Sequence, residues 1–495
     1  MAAVLAIDAG TTGVRTLAVA DTGDVITSAY REFPQYFPRP GWMEHDPEEI
    51  WSAVVETVTT VAQRLLEAQT PIAAIGITNQ RETTVVWDRG TGRPLHRAVV
   101  WQDRRTSARC QELTTGGYLD RVRQLTGLVL DPYFSATKLE WLLTEGQVEA
   151  SPDLAFGTVD SWIIWKLTGG AVHATDPSNA SRTLLYDIGR RGWSDELLAI
   201  FGVPASCLPE VGFSSGRIGV TAPGVVAGLD GVPISGVAGD QQASLFGQAC
   251  FQPGMTKNTY GTGSFVLMNV GPACPAPVAG LLTSVAWTLE RPAATAYALE
   301  GAIFVTGAAI QWLRDGLGII AEASEIGPLA ASVDDSEGVF VVPAFAGLGS
   351  PWWDPYARGL VIGLSRGSGR AQLARAVVEA MAYQTRDVVT TMTEGSGRAV
   401  TSLRVDGGAS VMDLLLQLQA DQLQIPVARS RVSDTTALGA AYLAGLAEGV
   451  WSSLDELATL WGADAEAQPR RRADDRYAQW RRAVERSRGW AGDAS

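Results

Sequence analysis

Two turns of the chain carry the residue types that hold phosphate. The first, Asp8-Ala-Gly-Thr-Thr-Gly13, lies between the β-like runs Val4 to Ile7 and Thr16 to Ala20. The second, Gly261-Thr-Gly-Ser264, lies between Met255 to Tyr260 and Phe265 to Val270. Small residues let backbone N–H groups reach phosphate oxygens, and threonine hydroxyls add donors. An ordinary hairpin also favours Gly and Thr, so either turn alone reads as structural. Their recurrence at the head of each half of the chain favours two walls gripping one phosphate chain.

Three carboxylates stand at chemically useful places. Asp8 ends the first strand, where it can organise Mg2+ through water or simply bond its own turn. Asp240 follows the apolar run Val232 to Ala238 and precedes the helix-like Gln241 to Gln248. Aspartate is a favoured N-cap, and a cleft-facing carboxylate there can also accept the proton of an attacking alcohol; both readings stay open. Asp406-Gly407-Gly408-Ala409 ends the strand Leu403 to Val405 and opens onto the helix-like Leu414 to Leu423. That is either room for an adenosine or a plain connection.

The elements that must position these groups alternate strand and helix, which predicts an α/β protein. An amphipathic helix is expected over Ile50 to Leu66, strands at Ile72 to Ile77, Val85 to Asp88 and Gly338 to Val342, and helices over Gly307 to Leu317 and Arg370 to Met392. At 495 residues the chain exceeds one ordinary core. Two domains are expected, over 1–252 and 253–495, with a cleft between them.

Composition excludes several classes. The 46% apolar and 19% charged content is that of a folded globule. A net charge of −14 repels a phosphate backbone, so nucleic acid is not expected as a partner. The arginine-rich tail from Pro469 to Trp490 is interrupted by Asp474, Asp475 and Glu485, which predicts a solvated surface helix. Four scattered cysteines and three scattered histidines predict neither disulfides nor a zinc site. The opening residues lack a basic, long apolar leader, and no window approaches the roughly 20 apolar residues of a membrane span, so the cytoplasm is the expected compartment.

Seven motifs then bear on identity. They are Gly76-Ile-Thr-Asn-Gln-Arg-Glu-Thr-Thr84, Trp101-Gln-Asp-Arg-Arg-Thr106, Asp131-Pro-Tyr-Phe-Ser-Ala-Thr-Lys138, Asn179-Ala-Ser-Arg-Thr183, Gly239-Asp-Gln-Gln242, Asn258-Thr-Tyr-Gly-Thr-Gly263 and Trp353-Asp-Pro-Tyr-Ala-Arg-Gly359. In their order and spacing, the chain resembles the glycerol kinases of the FGGY carbohydrate kinase family along nearly its whole length. The resemblance implies two RNase H-like domains of the actin and hexokinase superfamily flanking a catalytic cleft, and transfer of phosphate from ATP, with Mg2+, to glycerol. It implies Asp240 as catalytic base, and Asp8 and Asp240 at the metal. Arg81, Glu82, Tyr133, Asp240 and Gln241 would bind the hydroxyls, with Trp101 and Phe265 against the carbon chain. Thr11, Thr12, Gly13, Arg15, Thr262, Gly307, Gln311, Gly408 and Met412 would meet the nucleotide. Taken without the resemblance, Arg81-Glu82 reads as a surface ion pair, and Trp101 and Phe265 as core.

Departures from the family pattern are specific. Many members read Asp-Gln-Gly-Thr-Thr-Ser-Ser-Arg where this chain reads Asp8-Ala-Gly-Thr-Thr-Gly-Val-Arg15, so Gly13 lacks a serine hydroxyl that can touch phosphate. Met412 replaces an asparagine near the adenine, exchanging a hydrogen bond for apolar packing. Gly231 replaces an arginine used by some relatives to bind fructose 1,6-bisphosphate, so inhibition by that compound is not expected. The expected partners are glycerol, ATP and further copies of the chain in a homo-oligomer. The alternatives are a kinase for another small polyol or ketose, and a non-catalytic actin-like nucleotide-binding protein.

Overall fold

The apolar runs of the first thirty residues form an antiparallel meander of β1 (Ala3–Ala9), β2 (Gly13–Ala20) and β3 (Val25–Glu32). β1 and β2 are covered on both faces, whereas β3 alternates exposed and half-buried residues as an edge strand does. These and all later details come from a computed structural model that describes residues 2–492. Helix α1 (Pro47–Glu67) starts where Asp46 accepts from the Glu48 N–H and proline takes the first position. Its buried stripe, Ile50, Val54, Val58, Val61 and Leu65, packs on β2 and β3. The chain then returns as β4 (Ile72–Asn79), parallel to β1.

β5 (Ser215–Val220) and β6 (Pro233–Gly239) complete the first half-sheet, β6 parallel to β4 and β5 antiparallel to β6. Residues 80–214 add short helices and strands, among them the strand Val85–Asp88 paired with Leu154–Gly157, of which Val85, Trp87 and Ala155 join the core of this half-sheet. The second half repeats the plan. β7 (Met255–Tyr260), β8 (Ser264–Gly271), β9 (Leu282–Leu289) and β10 (Ala294–Ile303) are antiparallel neighbours in the order β7-β8-β10-β9. β11 (Ser402–Asp406) lies parallel to β7, β12 (Val427–Ser430) parallel to β11, and β13 (Ala463–Ala467) antiparallel to β12.

Each half thus has a meander followed by two parallel strands and an antiparallel edge, the duplication that the two Gly-Thr turns foreshadow. The thirteen strands form one ladder, and within it the strands of the two halves pair only between β5 and β9, at Ser215 and Leu289.

Six further helices matter to the site: α2 (Asp240–Gly247), α3 (Gly307–Gln311), α4 (Arg370–Ser396), α5 (Asp413–Leu423), α6 (Thr435–Ala447) and α7 (Asp474–Ser487). α6 comes from the second half yet packs on β1, β4 and β6 of the first and against α2. The crossing is close because both helices carry glycine there. A Cβ on Gly439 would stand 1.8 Å from the Ala243 carbonyl oxygen, and one on Gly247 would stand 2.0 Å from that of Thr435.

The tail helix corrects the sequence reading in part. α7 is helical, but Trp480, Ala483 and Val484 are buried, and Trp480 stacks on Tyr383 of α4 and donates to Asp387. Its arginines lie beside an apolar stripe that pattern counting on charge alone overlooks. Cys110, Cys207 and Cys250 are buried free thiols and Cys274 an exposed one. Among the described residues no helix is long and apolar enough to cross a membrane.

Candidate active site

The seven residues expected around the polyol come together at the end of β4. Arg81 is not a surface residue. It is 2% exposed and donates to Glu300 from Nη1 at 2.6 Å and from Nη2 at 3.1 Å. Its Nη2 also reaches the Tyr133 hydroxyl at 3.3 Å, and its Nε lies 3.1 Å from Asp240 Oδ1. Glu82 is equally buried and receives Arg182 Nε at 2.5 Å. Arg182 Nη2 reaches back to Glu300 at 3.3 Å. Two arginines and two glutamates therefore alternate in a closed, buried lattice in which each charge faces an opposite one.

Glu82 holds this place with φ +60°, a left-handed backbone that Ser135 and Thr84 stabilise by donating to its carbonyl oxygen. Burial would raise Glu300, but Arg182 and Arg81 overcome it and bring the carboxyl down to about 2. Burial raises Glu82, with its arginines acting the other way.

Aromatic rings wall the lattice. Trp101 and Tyr133 meet edge to face with centroids 5.5 Å apart, and Phe265 lies 5.9 Å below the Arg81 guanidinium. All three are half-buried rather than core residues. Trp101 Nε1 donates to Thr11 Oγ1 at 2.9 Å, which ties the aromatic wall to the first Gly-Thr turn.

Asp240 corrects another expectation. Gly239 is the N-cap, and Asp240 is the first residue of α2. Its Oδ1 accepts from the Gln241 N–H at 2.7 Å and its Oδ2 from Gln241 Nε2 at 3.3 Å. Beside it, Asp8 is pushed up to about 7 by burial first and then by the Asp240 and Asp434 carboxylates, against the pull of Arg15. A buried carboxyl whose charge is disfavoured, next to a second oxygen donor, suits a hard divalent cation, which needs few protein ligands when phosphates and water supply the rest.

The nucleotide set divides. Thr262, Gly307, Gln311, Gly408 and Met412 line one cavity of about 730 Å3, together with Tyr260, Ile310, Arg314 and Ser324. The second Gly-Thr turn is bonded to the start of α3, its Gly261 and Thr262 carbonyls accepting from Gly307 and Ala308. Met412 is buried among the apolar side chains of that wall.

Thr11, Thr12, Gly13 and Arg15 do not line this cavity; they face the Asp8 side. Arg15 is paired with Asp434, 2.5 Å away, at the head of α6. Gly13 is the first residue of β2 rather than part of the turn. The Tyr30 hydroxyl takes the space above it, 2.7 Å from where a Cβ would stand and 3.5 Å from Thr12 Oγ1.

Sequence reading assigned no role to Arg182, Glu300 or Lys257. Glu300 is the only charge in the apolar run Ala294–Ile303, and a lone carboxylate in a central strand is the signal that marks it. Lys257 is the one charged residue of β7, which is otherwise uncharged and buried or half-buried.

The N-terminal domain model of the FGGY family of carbohydrate kinases matches residues 3–247, and the C-terminal domain model matches residues 256–448. A glycerol kinase of Bordetella parapertussis is 53% identical over 99% of this chain and 98% of its own length. Glycerol kinase 2 of Thermotoga maritima is 52% identical over 98% and 99%. The crystal structure of Plasmodium falciparum glycerol kinase with ADP superposes with a TM-score of 0.93 at 33% identity, covering 98% of each chain. The duplicated fold, the charged lattice at the cleft and the match of both domain models agree: the chain belongs to the FGGY family of carbohydrate kinases.

Proposed function

We propose that the protein transfers the γ-phosphate of ATP to glycerol, giving sn-glycerol 3-phosphate and ADP. The observation that carries the reading is the exposure of Asp240. Its side chain is 32% exposed, while Arg81, Glu82, Arg182 and Glu300 are at most 2% exposed. One carboxylate is thus presented to the cleft on a rigid, desolvated base. Three adjacent hydroxyls need several directed donors and acceptors, which Arg81, Glu82, Tyr133, Asp240 and Gln241 supply, and the C–H face needs the wall of Trp101, Tyr133 and Phe265. The names of the most similar full-length relatives favour glycerol over other polyols.

In this reading Asp240 orients a terminal hydroxyl and takes its proton as the oxygen bonds to the γ-phosphorus. The bond to the β–γ bridging oxygen breaks, and ADP leaves with that electron pair. Phosphoryl transfer asks mainly for positioning and charge stabilisation, which explains a site of turns and carboxylates. Asp8 and Asp240 would hold Mg2+, which when bound neutralises charge on the phosphate oxygens. The two Gly-Thr turns hold the phosphate chain from opposite walls, and the cavity at Gly408 and Met412 takes the base. Closure of the halves excludes water from the reaction. Free thiols and the use of ATP support a cytoplasmic reaction.

The test is a coupled assay of ADP release with glycerol, dihydroxyacetone, erythritol and xylulose. Glycerol is expected to give the highest kcat/KM. A ketose as the better substrate, or ATP use indifferent to any polyol, overturns the reading.

A further inference from the structure

Lys257, in β7 beneath the head of α2, is wholly buried. Burying an ammonium is costly unless its N–H groups and its charge are answered. Its hydrogen-bond partners are neutral: Gln241 Oε1 at 2.5 Å and Thr259 Oγ1 at 2.9 Å. Burial lowers the ammonium to about 8, with Asp406, Asp240 and Glu300 drawing it upward and Arg81 opposing them. A lysine kept charged at such a place, with so little direct compensation, calls for a use.

The use lies in the amide of Gln241. An ammonium donates and never accepts, so it captures the oxygen end of that amide and turns the NH2 end away. The NH2 end then faces Asp240, with Nε2 donating to Oδ2 at 3.3 Å. Oδ1 is held independently by the Gln241 backbone N–H and by Arg81 Nε. Without the ammonium the amide has no reason to prefer one orientation on its inner side. One of the two orientations sets an oxygen against the Asp240 carboxylate.

We propose that Lys257 is a positioning residue for phosphoryl transfer: it fixes the Gln241 amide with its donor end toward Asp240 and the polyol, and acts on the polyol only through that amide. The inference rests on the reading of Asp240 and Gln241 as glycerol contacts. It separates the two substrates, because neither Lys257 nor Gln241 lines the nucleotide cavity.

The test is a double-mutant cycle on the full chain. Wild type, Lys257→Met, Gln241→Ala and the double variant are compared by kcat, glycerol KM and ATP KM, with circular dichroism and thermal melts as checks on folding. Lys257→Met is expected to raise the glycerol KM about tenfold, the scale of one charge-assisted hydrogen bond, and to leave the ATP KM within about twofold. In the Gln241→Ala background the same substitution is expected to change the glycerol KM by less than about twofold. An unchanged glycerol KM in Lys257→Met, or an equal penalty with and without Gln241, overturns the proposal. Should Lys257→Met not fold, Lys257→Gln enters the same cycle, since its amide can present either end to Gln241; additivity there overturns the proposal equally. A wild type with no glycerol-dependent turnover overturns the underlying reading, an outcome distinct from an active wild type with an insensitive Lys257 variant.

Discussion

Arg81 donates through both Nη atoms to Glu300, 219 residues away, so one bidentate pair joins the end of β4 in the first half to β10 in the second. Glu300→Gln leaves two buried guanidinium groups short of a counter-charge and is expected to cost about 3–5 kcal/mol at pH 7. Because the Glu300 carboxyl is lowered from 4.5 to about 2, its stabilisation is full above the unfolded value and is lost as pH falls through the folded one. Urea unfolding of wild type and variant should therefore differ most at neutral pH and converge as pH drops from about 4.5 toward 2. A constant difference across that window contradicts the assignment.

Asp240→Asn keeps the shape of the side chain and its contact with the Gln241 N–H but removes the base. Turnover is expected to fall by about 10²-fold or more, with the far-ultraviolet circular dichroism unchanged. Turnover near that of the wild type removes Asp240 from the role.

Gly13→Ser restores the residue found in many relatives, yet its Cβ would lie 2.6 Å from the Arg31 carbonyl oxygen and 2.7 Å from the Tyr30 hydroxyl. The variant is expected to lose about 1–3 kcal/mol, as overpacked sites do. Tyr30→Ala added to it should recover part of the loss and not all, since the main-chain contact remains. Thermal melts of the two variants decide this, and an undiminished melting temperature in Gly13→Ser rejects the contact.

Gly231 has φ +73° and nothing within 4 Å of a Cβ built there. With no guanidinium at this position, added fructose 1,6-bisphosphate is expected to leave turnover unchanged. Strong inhibition in a steady-state assay contradicts that expectation.

How much of this could be read beforehand follows from the range of the interactions. β1, β2, β7 and β8 were legible because their apolar runs and Gly-Thr turns are local. The long helix α4 was legible as well, and runs from Arg370 to Ser396, about one turn past the expected limit of Met392. The burial of Arg81 and Glu82 could not be read beforehand, since it depends on Arg182 and Glu300, which sequence distance hides. Lys257 and Gln241 are 16 positions apart on different elements, and no periodicity links a strand residue to the head of a helix. The helix starts one residue earlier than an aspartate cap would place it, with Gly239 as N-cap and Asp240 inside the first turn.

The single rung between Ser215 and Leu289 has a mechanical consequence. A ladder of many rungs resists torsion, whereas one reduced to a single pair at its middle transmits little torque from side to side. The stiffness lost there is recovered where α2 and α6 touch backbone to backbone, with no long side chains between them to shear. Any rotation of one half on the other would therefore turn about this thin joint in the sheet beside a close helix contact, and the first residue of that contact's leading helix is Asp240.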